Sequence, residues 1–87
     1  MQSYDTVVDR TDAPGDRPRE FVDVHSLGPP EPLVTTLETL ADLPDKTVLV
    51  QRNDRVPQFL YPKLEDRGYD YETVERDDEV VTVIWRP

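Results

Sequence analysis

Hydrophobic and polar positions first alternate and then meet a proline turn. Val22 and Val24 fall on one side of an extended segment and Asp23 on the other, the pattern of a half-buried β-strand over residues 20–24. The Gly-Pro-Pro run that follows at 28–30 can continue neither a strand nor a helix. Pro32 suits the first turn of a helix, where its missing N–H costs nothing. We therefore predict a strand, a rigid turn and a helix in direct succession.

The next segment carries apolar residues at helical spacing and ends at Pro44, which disfavours a helical conformation in the residue before it. An amphipathic helix of about three turns is predicted. The run 47–50 is β-branched and apolar throughout, typical of a strand in the middle of a sheet. The predicted inward positions are Leu33, Val34, Leu37, Leu40 and Ala41, and the outward ones are Thr35, Thr36, Glu38, Thr39 and Asp42.

A second helix is predicted to open at Pro57 and to close at Gly68, with Phe59, Leu60 and Leu64 facing inward. A proline inside a helix costs about 3 kcal/mol. Pro62 therefore predicts a kink, or a helix that is regular only from about residue 61.

Two strands complete the pattern. Tyr69, Tyr71 and Thr73 alternate with other side chains and predict a third strand, and the Asp-Asp pair at 77–78 supplies a turn. The segment 80–85 is apolar on both faces except at one threonine, so the last strand is expected inside the sheet. The order β-α-β-α-β-β predicts an α+β fold, a two-layer α/β sandwich with four strands and two helices on one face.

The first 19 residues mix carboxylates, arginines, prolines and glycine, and leave little apolar surface to offset the entropy of ordering. We predict a flexible acidic N-terminal arm over residues 1–19 and a folded domain over residues 20–87. A short edge strand at 4–8 is the alternative for part of the arm.

The chain has no cysteine, which excludes disulfides, thiolate metal sites and sulfur nucleophiles. No apolar run approaches the roughly 18 residues that span a bilayer, and no basic and apolar signal follows the first methionine. We expect a cytoplasmic protein that does not enter a membrane.

The charge is strongly acidic: 19 acidic residues oppose 10 basic ones, for a net charge of −9. Lys46 and Lys63 are the only lysines. Such repulsion opposes compaction in low salt and is screened within about 3 Å at molar salt. This composition favours a protein of an extreme halophile, such as a haloarchaeon. An ordinary acidic mesophile protein and an acidic mimic of nucleic acid remain as alternatives.

The turn motif and its order in the chain resemble a known family. The stretch V-D-V-H-S-L-G-P-P-E-P at 22–32, the helix, the Pro-Asp-Lys turn at 44–46 and an apolar strand look like the TusA-like (SirA-like) sulfur-carrier domain, where the comparable segment reads L-D-x-x-G-L-x-C-P-x-P. More closely, N-D-R-V-P at 53–57 and the Leu-Glu pair at 64–65 resemble an uncharacterised branch of this fold with the motif N-D-H-D-P. The resemblance covers about residues 20–86 and implies a mixed sheet with an internal, antiparallel fourth strand.

Two departures from these motifs change the expected chemistry. Pro29 stands where the TusA-like family carries its reactive cysteine, so this chain cannot carry a persulfide. Arg55 replaces the histidine of the branch, and His25 stands where the branch has arginine.

A binding site is predicted at the rim of the sheet, where the first strand and the loop after the second strand end together. The alternative is that these residues have only structural roles. The histidine would then be exposed or would cap a chain end, the prolines would cap the first helix, and the turn residues at 53–54 would cap the second helix. The helix start at 31–34 is a weaker candidate for anion binding. The predicted site residues are His25, Pro29, Pro30, Glu31, Arg52, Asn53, Asp54 and Arg55.

No cofactor or metal site is predicted, because one histidine without convergent carboxylates does not make one. The tyrosines and Trp85 are expected to be partly buried, with the polar atoms of their side chains in contact with water. Nucleic-acid binding is disfavoured, because acidic residues surround the aromatic ones.

These observations favour a non-catalytic binding or regulatory module, a monomer or weak dimer that takes a protein partner or a small ligand. An accessory docking protein in sulfur or redox metabolism is the second hypothesis. A small enzyme that uses His25 and Asp54 as a general acid/base pair is the third.

Overall fold

The computed structural model describes residues 4–28 and 30–87 of the chain. A short helix, a strand and a longer helix come first, and the remaining strands and helix follow. The elements are α1 (Asp5–Asp9), β1 (Arg19–Asp23), α2 (Glu31–Asp42), β2 (Val48–Asn53), α3 (Leu60–Asp66), β3 (Asp70–Arg76) and β4 (Glu79–Trp85).

The four strands form one mixed sheet in the order β1-β2-β4-β3. β1 pairs with β2 in parallel, with Phe21 opposite Val50. β4 is antiparallel to both of its neighbours, with Val83 opposite Val50 on one side and Glu72 on the other. The predicted α+β class and the internal position of the last strand are confirmed.

One face of the sheet, here called the helix face, is covered by α2 and α3. Leu49 and Ile84 project from the sheet into a cluster that contains Leu40 of α2 and Leu64 of α3. These four side chains are at most 4 % exposed. The two-layer arrangement with both longer helices on one face follows from this core.

Four positions differ from the predicted pattern. Val34 and Ala41 were predicted to face inward but are exposed, because the buried side of α2 runs through Thr36 and Leu40 and leaves them at its margin.

Thr36 was predicted to face outward but is fully buried, because its hydroxyl donates to the Pro32 carbonyl at 2.7 Å and accepts from the Gln51 amide at 2.8 Å. Phe59 was predicted to face inward but is 83 % exposed, because it precedes the first residue of α3 rather than lying on its inner face. A satisfied hydroxyl can be buried, and an apolar residue outside the periodic stretch need not be.

The second helix starts late, close to residue 61, as one of the two predictions for Pro62 has it. The helix begins at Leu60, so Pro62 is its third residue. The first N–H groups of a helix have no partner within the helix, and the missing donor therefore costs nothing at this position. At the other end Gly68 has φ +79°, the left-handed conformation that commonly follows a helix.

The other face of the sheet is covered by residues 4–13, here called the N-terminal segment. Val7 and Val8 are each 1 % exposed and pack with Val50, Val83 and Trp85. This part of the chain thus packs on the sheet, and the alternative of an edge strand is wrong, because Asp5–Asp9 is helical. A third, thin layer therefore lies on the sheet face that the two longer helices leave free.

Polar contacts fasten the N-terminal segment at both ends. The Tyr4 hydroxyl donates to Glu79 at 2.9 Å, and the Tyr4 ring lies 4.8 Å from that of Phe21. The backbone N–H of Asp12 donates to Glu72 at 2.7 Å. These contacts place the segment across β1, β4 and β3.

Candidate functional site

An open groove of about 600 Å³ lies at the edge of the sheet where β1 and β2 end. One wall is the turn that leads into α2, and the other is the loop from β2 into α3. The carboxyl ends of parallel strands are a usual place for ligands in open sheets. The lining residues are Leu27, Pro30, Pro32, Leu33, Asn53, Asp54, Arg55, Phe59, Pro62 and Lys63.

The groove owes its shape to local backbone features of both walls. Pro30 occupies the N-cap position of α2, and Pro32 lies within the first turn. On the other wall Asn53 is only 4 % exposed, and its Oδ1 accepts a hydrogen bond from the backbone N–H of Asp54 at 2.8 Å. Phe59 stands at the rim with most of its ring in solvent. Rigid prolines and an internally bonded turn thus frame a mostly apolar surface.

Charged groups lie along the loop wall. Arg55 Nε donates to Asp54 Oδ1 at 3.1 Å, and the two side chains are 70 % and 43 % exposed. The hydrogen bond from Arg55 lowers the pKa of Asp54 below its ordinary value, so the pair is charged at neutral pH. Exposed ion pairs of this kind contribute little to stability.

His25 and Arg52 belong to a different cluster, here called the ion network, on the far side of the sheet edge. Arg52 donates to Glu79 at 2.8 Å and to Asp23 at 3.0 Å, and its guanidinium lies 2.9 Å from His25 Nδ1. Arg76 donates to the second oxygen of Glu79 at 2.7 Å. Together with the Tyr4 contact, the ion network joins all four strands of the sheet to the N-terminal segment.

The strand alternation of β2 separates the ion network from the groove. Side chains of successive strand residues point to opposite faces. Gln51 and Asn53 therefore share the helix face with the groove, while Arg52 shares the other face with Val50. The site residues that were predicted to converge at one rim thus lie on two faces of the sheet.

The predicted site residues fall into three groups. Pro30, Asn53, Asp54 and Arg55 line the groove, whereas His25, Arg52 and the exposed Glu31 do not. Pro29 lies outside the described residues. Sequence reasoning missed the remaining lining residues, although prolines and exposed apolar residues close to a predicted rim are a usable signal. The missed residues are Leu27, Pro32, Leu33, Phe59, Pro62 and Lys63.

The general acid/base hypothesis would require a hydrogen bond between His25 and Asp54. His25 Nδ1 contacts Arg52 and lies 3.3 Å from Asp23 Oδ1, and no hydrogen bond joins it to Asp54 in the described part of the chain. Within residues 4–28 and 30–87, no group of three or more His, Cys, Asp or Glu side chains could hold a metal ion.

A row of buried and partly buried polar side chains crosses the helix face of the sheet. Gln51, Thr82 and Thr73 lie side by side on neighbouring strands, and the Tyr61 hydroxyl contacts Thr73. Gln51 Oε1 is buried without a hydrogen-bond partner. A buried amide oxygen without a partner costs about 1–3 kcal/mol.

The stabilisation by the ion network depends on pH through the pKa of Glu79. Burial raises the pKa of Glu79, but hydrogen bonds from Arg52, Arg76 and Tyr4 outweigh burial and lower it below its ordinary value of 4.5. A carboxylate with a lowered pKa stabilises the fold above its unfolded-state pKa, and this stabilisation is lost as the pH falls through the folded-state pKa. The network is therefore intact at neutral pH and weakens in acid.

We expect Glu79→Gln to reduce the free energy of unfolding at pH 7 by about 1–3 kcal/mol, because it removes a charged acceptor from two arginines. The difference from the wild type should shrink as the pH falls below about 4.5, where the wild-type carboxylate also becomes protonated. Urea unfolding between pH 7 and pH 3 measures both effects. Glu75→Gln, at an exposed site on the same hairpin, is the control and should change little; an equal loss in both variants would contradict the assignment.

The fold and the site together define a small α+β domain with an open mixed sheet and an apolar groove at the carboxyl ends of its parallel strands. The family model described as "Uncharacterized conserved protein (DUF2249)" matches residues 21–86, about three quarters of the chain. The chain belongs to this family. The N-terminal segment lies outside the matched residues.

The other comparisons add no relative. No curated protein and no solved structure matches the chain. Over the described residues, the structure contains no helix with the length and apolar character needed to cross a membrane.

Proposed function

We propose that this protein is a non-catalytic binding or regulatory module whose groove takes a small ligand or a segment of a partner protein. The observation that carries the proposal is the groove itself, an apolar concavity of about 600 Å³ with a few polar groups on one wall. Ligand sites are commonly concave, mostly apolar and of about 300–1,000 Å³. The absence of cysteine leaves the groove without a sulfur nucleophile, and His25 is engaged with Arg52 and Asp23.

The family assignment and the turn motif support a TusA-like origin for the scaffold. The mixed sheet with an internal, antiparallel last strand is the arrangement that this resemblance implies. Pro29, in place of the reactive cysteine, removes the nucleophile but leaves the turn that frames the groove. Sulfur transfer needs a thiolate, so a scaffold that has kept the turn but lost the thiol is better suited to binding.

A second candidate is an accessory docking role in sulfur or redox metabolism, in which the protein keeps a docking surface and receives nothing covalently. The two prolines that match the family motif, Pro30 and Pro32, favour it. Specific binding of a purified cysteine desulfurase or sulfurtransferase in high salt would support this role.

The charge of −9 and the scarcity of lysine support a cytoplasmic setting in an extreme halophile. Repulsion among the carboxylates opposes folding in low salt and is screened at molar salt. A rise in the free energy of unfolding from low salt toward molar salt is the property expected of such a protein.

The binding function is tested by amide shift mapping with a library of small molecules and short peptides of defined composition. Shifts should cluster at groove residues such as Leu33, Asn53 and Phe59. Phe59→Ser should weaken the binding of groove ligands about tenfold, because it removes the exposed ring at the rim. Phe21→Ser, which removes the other phenylalanine at a site outside the groove, is the matched control. Shifts confined to the 69–78 hairpin would contradict the proposal.

A further inference from the structure

The charge of the groove is opposite to that of the whole protein. Its lining contains two cations, Arg55 and Lys63, and one carboxylate, Asp54. The full chain has nearly twice as many acidic as basic residues. One of only two lysines in the chain thus lies in this apolar groove.

The Lys63 side chain has no ion-pair partner in the described structure, although it belongs to a protein with a large excess of carboxylates. Arg55 is paired only with its neighbour in sequence, through an exposed contact. Exposed pairs are worth about 1 kcal/mol or less, so an incoming anion can compete with Asp54 for the guanidinium. Both cations are therefore available to a ligand.

The apolar part of the groove favours a ligand that has an apolar part next to its anionic group. Leu27, Leu33 and Phe59 lie along the same concavity, and prolines 30, 32 and 62 make its walls rigid. Rigid walls reduce the ordering cost of binding. A volume of about 600 Å³ suits a molecule of one to three rings or a medium-length chain better than a folded element of a partner.

We propose that the groove binds a small apolar organic anion, a compound with one carboxylate or sulfonate group on an aromatic or aliphatic body. The anionic group lies against Lys63 and Arg55, and the body lies on Leu33 and Phe59. This inference rests on the proposed function, and it adds the class of ligand.

The test compares two probes that differ by one charged group. 8-Anilinonaphthalene-1-sulfonate carries a sulfonate, and N-phenyl-1-naphthylamine has the same rings without it. Fluorescence titration gives the affinities, and amide shifts of Leu33, Asn53 and Phe59 locate the bound probe. The titrations use the lowest salt at which circular dichroism shows a fully folded protein, because salt screens the charge effect.

We expect the sulfonate probe to bind about fivefold more tightly than the neutral probe, the effect of one exposed ion pair. Lys63→Gln should clearly reduce this preference, because only Arg55 then faces the anionic group. Lys46→Gln is the matched control, since it removes the other lysine from the turn before β2, at the opposite end of the strand, and it should leave the preference unchanged.

Each other outcome overturns a defined part of the argument. Equal binding of both probes, with shifts in the groove, would refute the anion but leave the binding groove intact. Groove shifts caused only by an acidic peptide, or by raising the protein concentration without a probe, would assign the groove to a partner protein or to a second copy. No shift in the groove with either probe or with peptide would refute both this inference and the proposed function.

Discussion

Val7→Asp is expected to detach the N-terminal segment from the sheet and to lower the free energy of unfolding by about 3 kcal/mol or more. Val7 is 1 % exposed and packs on the sheet face that carries Val83 and Trp85. Full burial of a valine is worth about 1.5–3 kcal/mol, and an unpaired carboxylate in its place adds a desolvation cost. Urea unfolding monitored by circular dichroism measures the loss.

Trp85 gives an independent measure of the same event. It is the only tryptophan, it is 6 % exposed, and it belongs to the cluster beneath the segment. Release of the segment should make its fluorescence accessible to acrylamide under conditions in which circular dichroism still shows a folded domain. Thr6→Asp introduces the same charge one residue away at an exposed position and is the control. Wild-type stability and quenching in Val7→Asp would refute the packing of this layer.

The sequence predicted the helix α2 and the strand β4 correctly, because the hydrophobic pattern of each element lies within its own residues. α2 runs from Glu31 to Asp42, as the leucine spacing and the prolines on either side predict. β4 lies between two strands, as its apolar character on both faces predicts. In both cases the pattern reports directly on burial.

The N-terminal segment was not predictable in this way. Its two buried valines are surrounded by charged and turn-forming residues, a composition that on its own indicates disorder. The segment is ordered by what lies beneath it, an apolar sheet face made by Val48, Val50 and Val83 that no other described element covers. The order of the segment was therefore indicated by the uncovered apolar face of the sheet and not by the composition of the segment itself.

The candidate site was partly predictable, and the error has a simple cause. The sequence predicted β2 to end at Val50, which left Arg52 and Asn53 in one loop. The strand continues to Asn53, so alternation sends Arg52 to the ion network and Asn53 to the groove. Pro30 and Asp54, turn residues near the carboxyl ends of the strands, line the groove. Phe59 was expected to face inward, but the second helix begins three residues later than predicted, which changes the residues that face inward.

Leu64→Ala is expected to lower the free energy of unfolding by about 3 kcal/mol, because a leucine-to-alanine change in a packed core costs about 2–5 kcal/mol. Leu64 is fully buried and joins α3 to Leu49 and Ile84 of the sheet. With Leu60 it packs α3 on the sheet, and α3 carries the groove residues Pro62 and Lys63. Chemical unfolding measures the stability, and titration with the naphthyl probes measures the groove.

Two control variants separate the role of this anchor from the general sensitivity of α3. Leu64→Met keeps the volume and should cost less than about 1.5 kcal/mol. Asp66→Ala changes an exposed residue of the same helix and should change stability by no more than about 0.5 kcal/mol. If Leu64→Ala binds the probes as tightly as the wild type in conditions where both are folded, α3 does not depend on this anchor to form the groove. A joint loss of stability and probe affinity in Leu64→Ala alone would show that the core beneath α3 determines the shape of the binding surface.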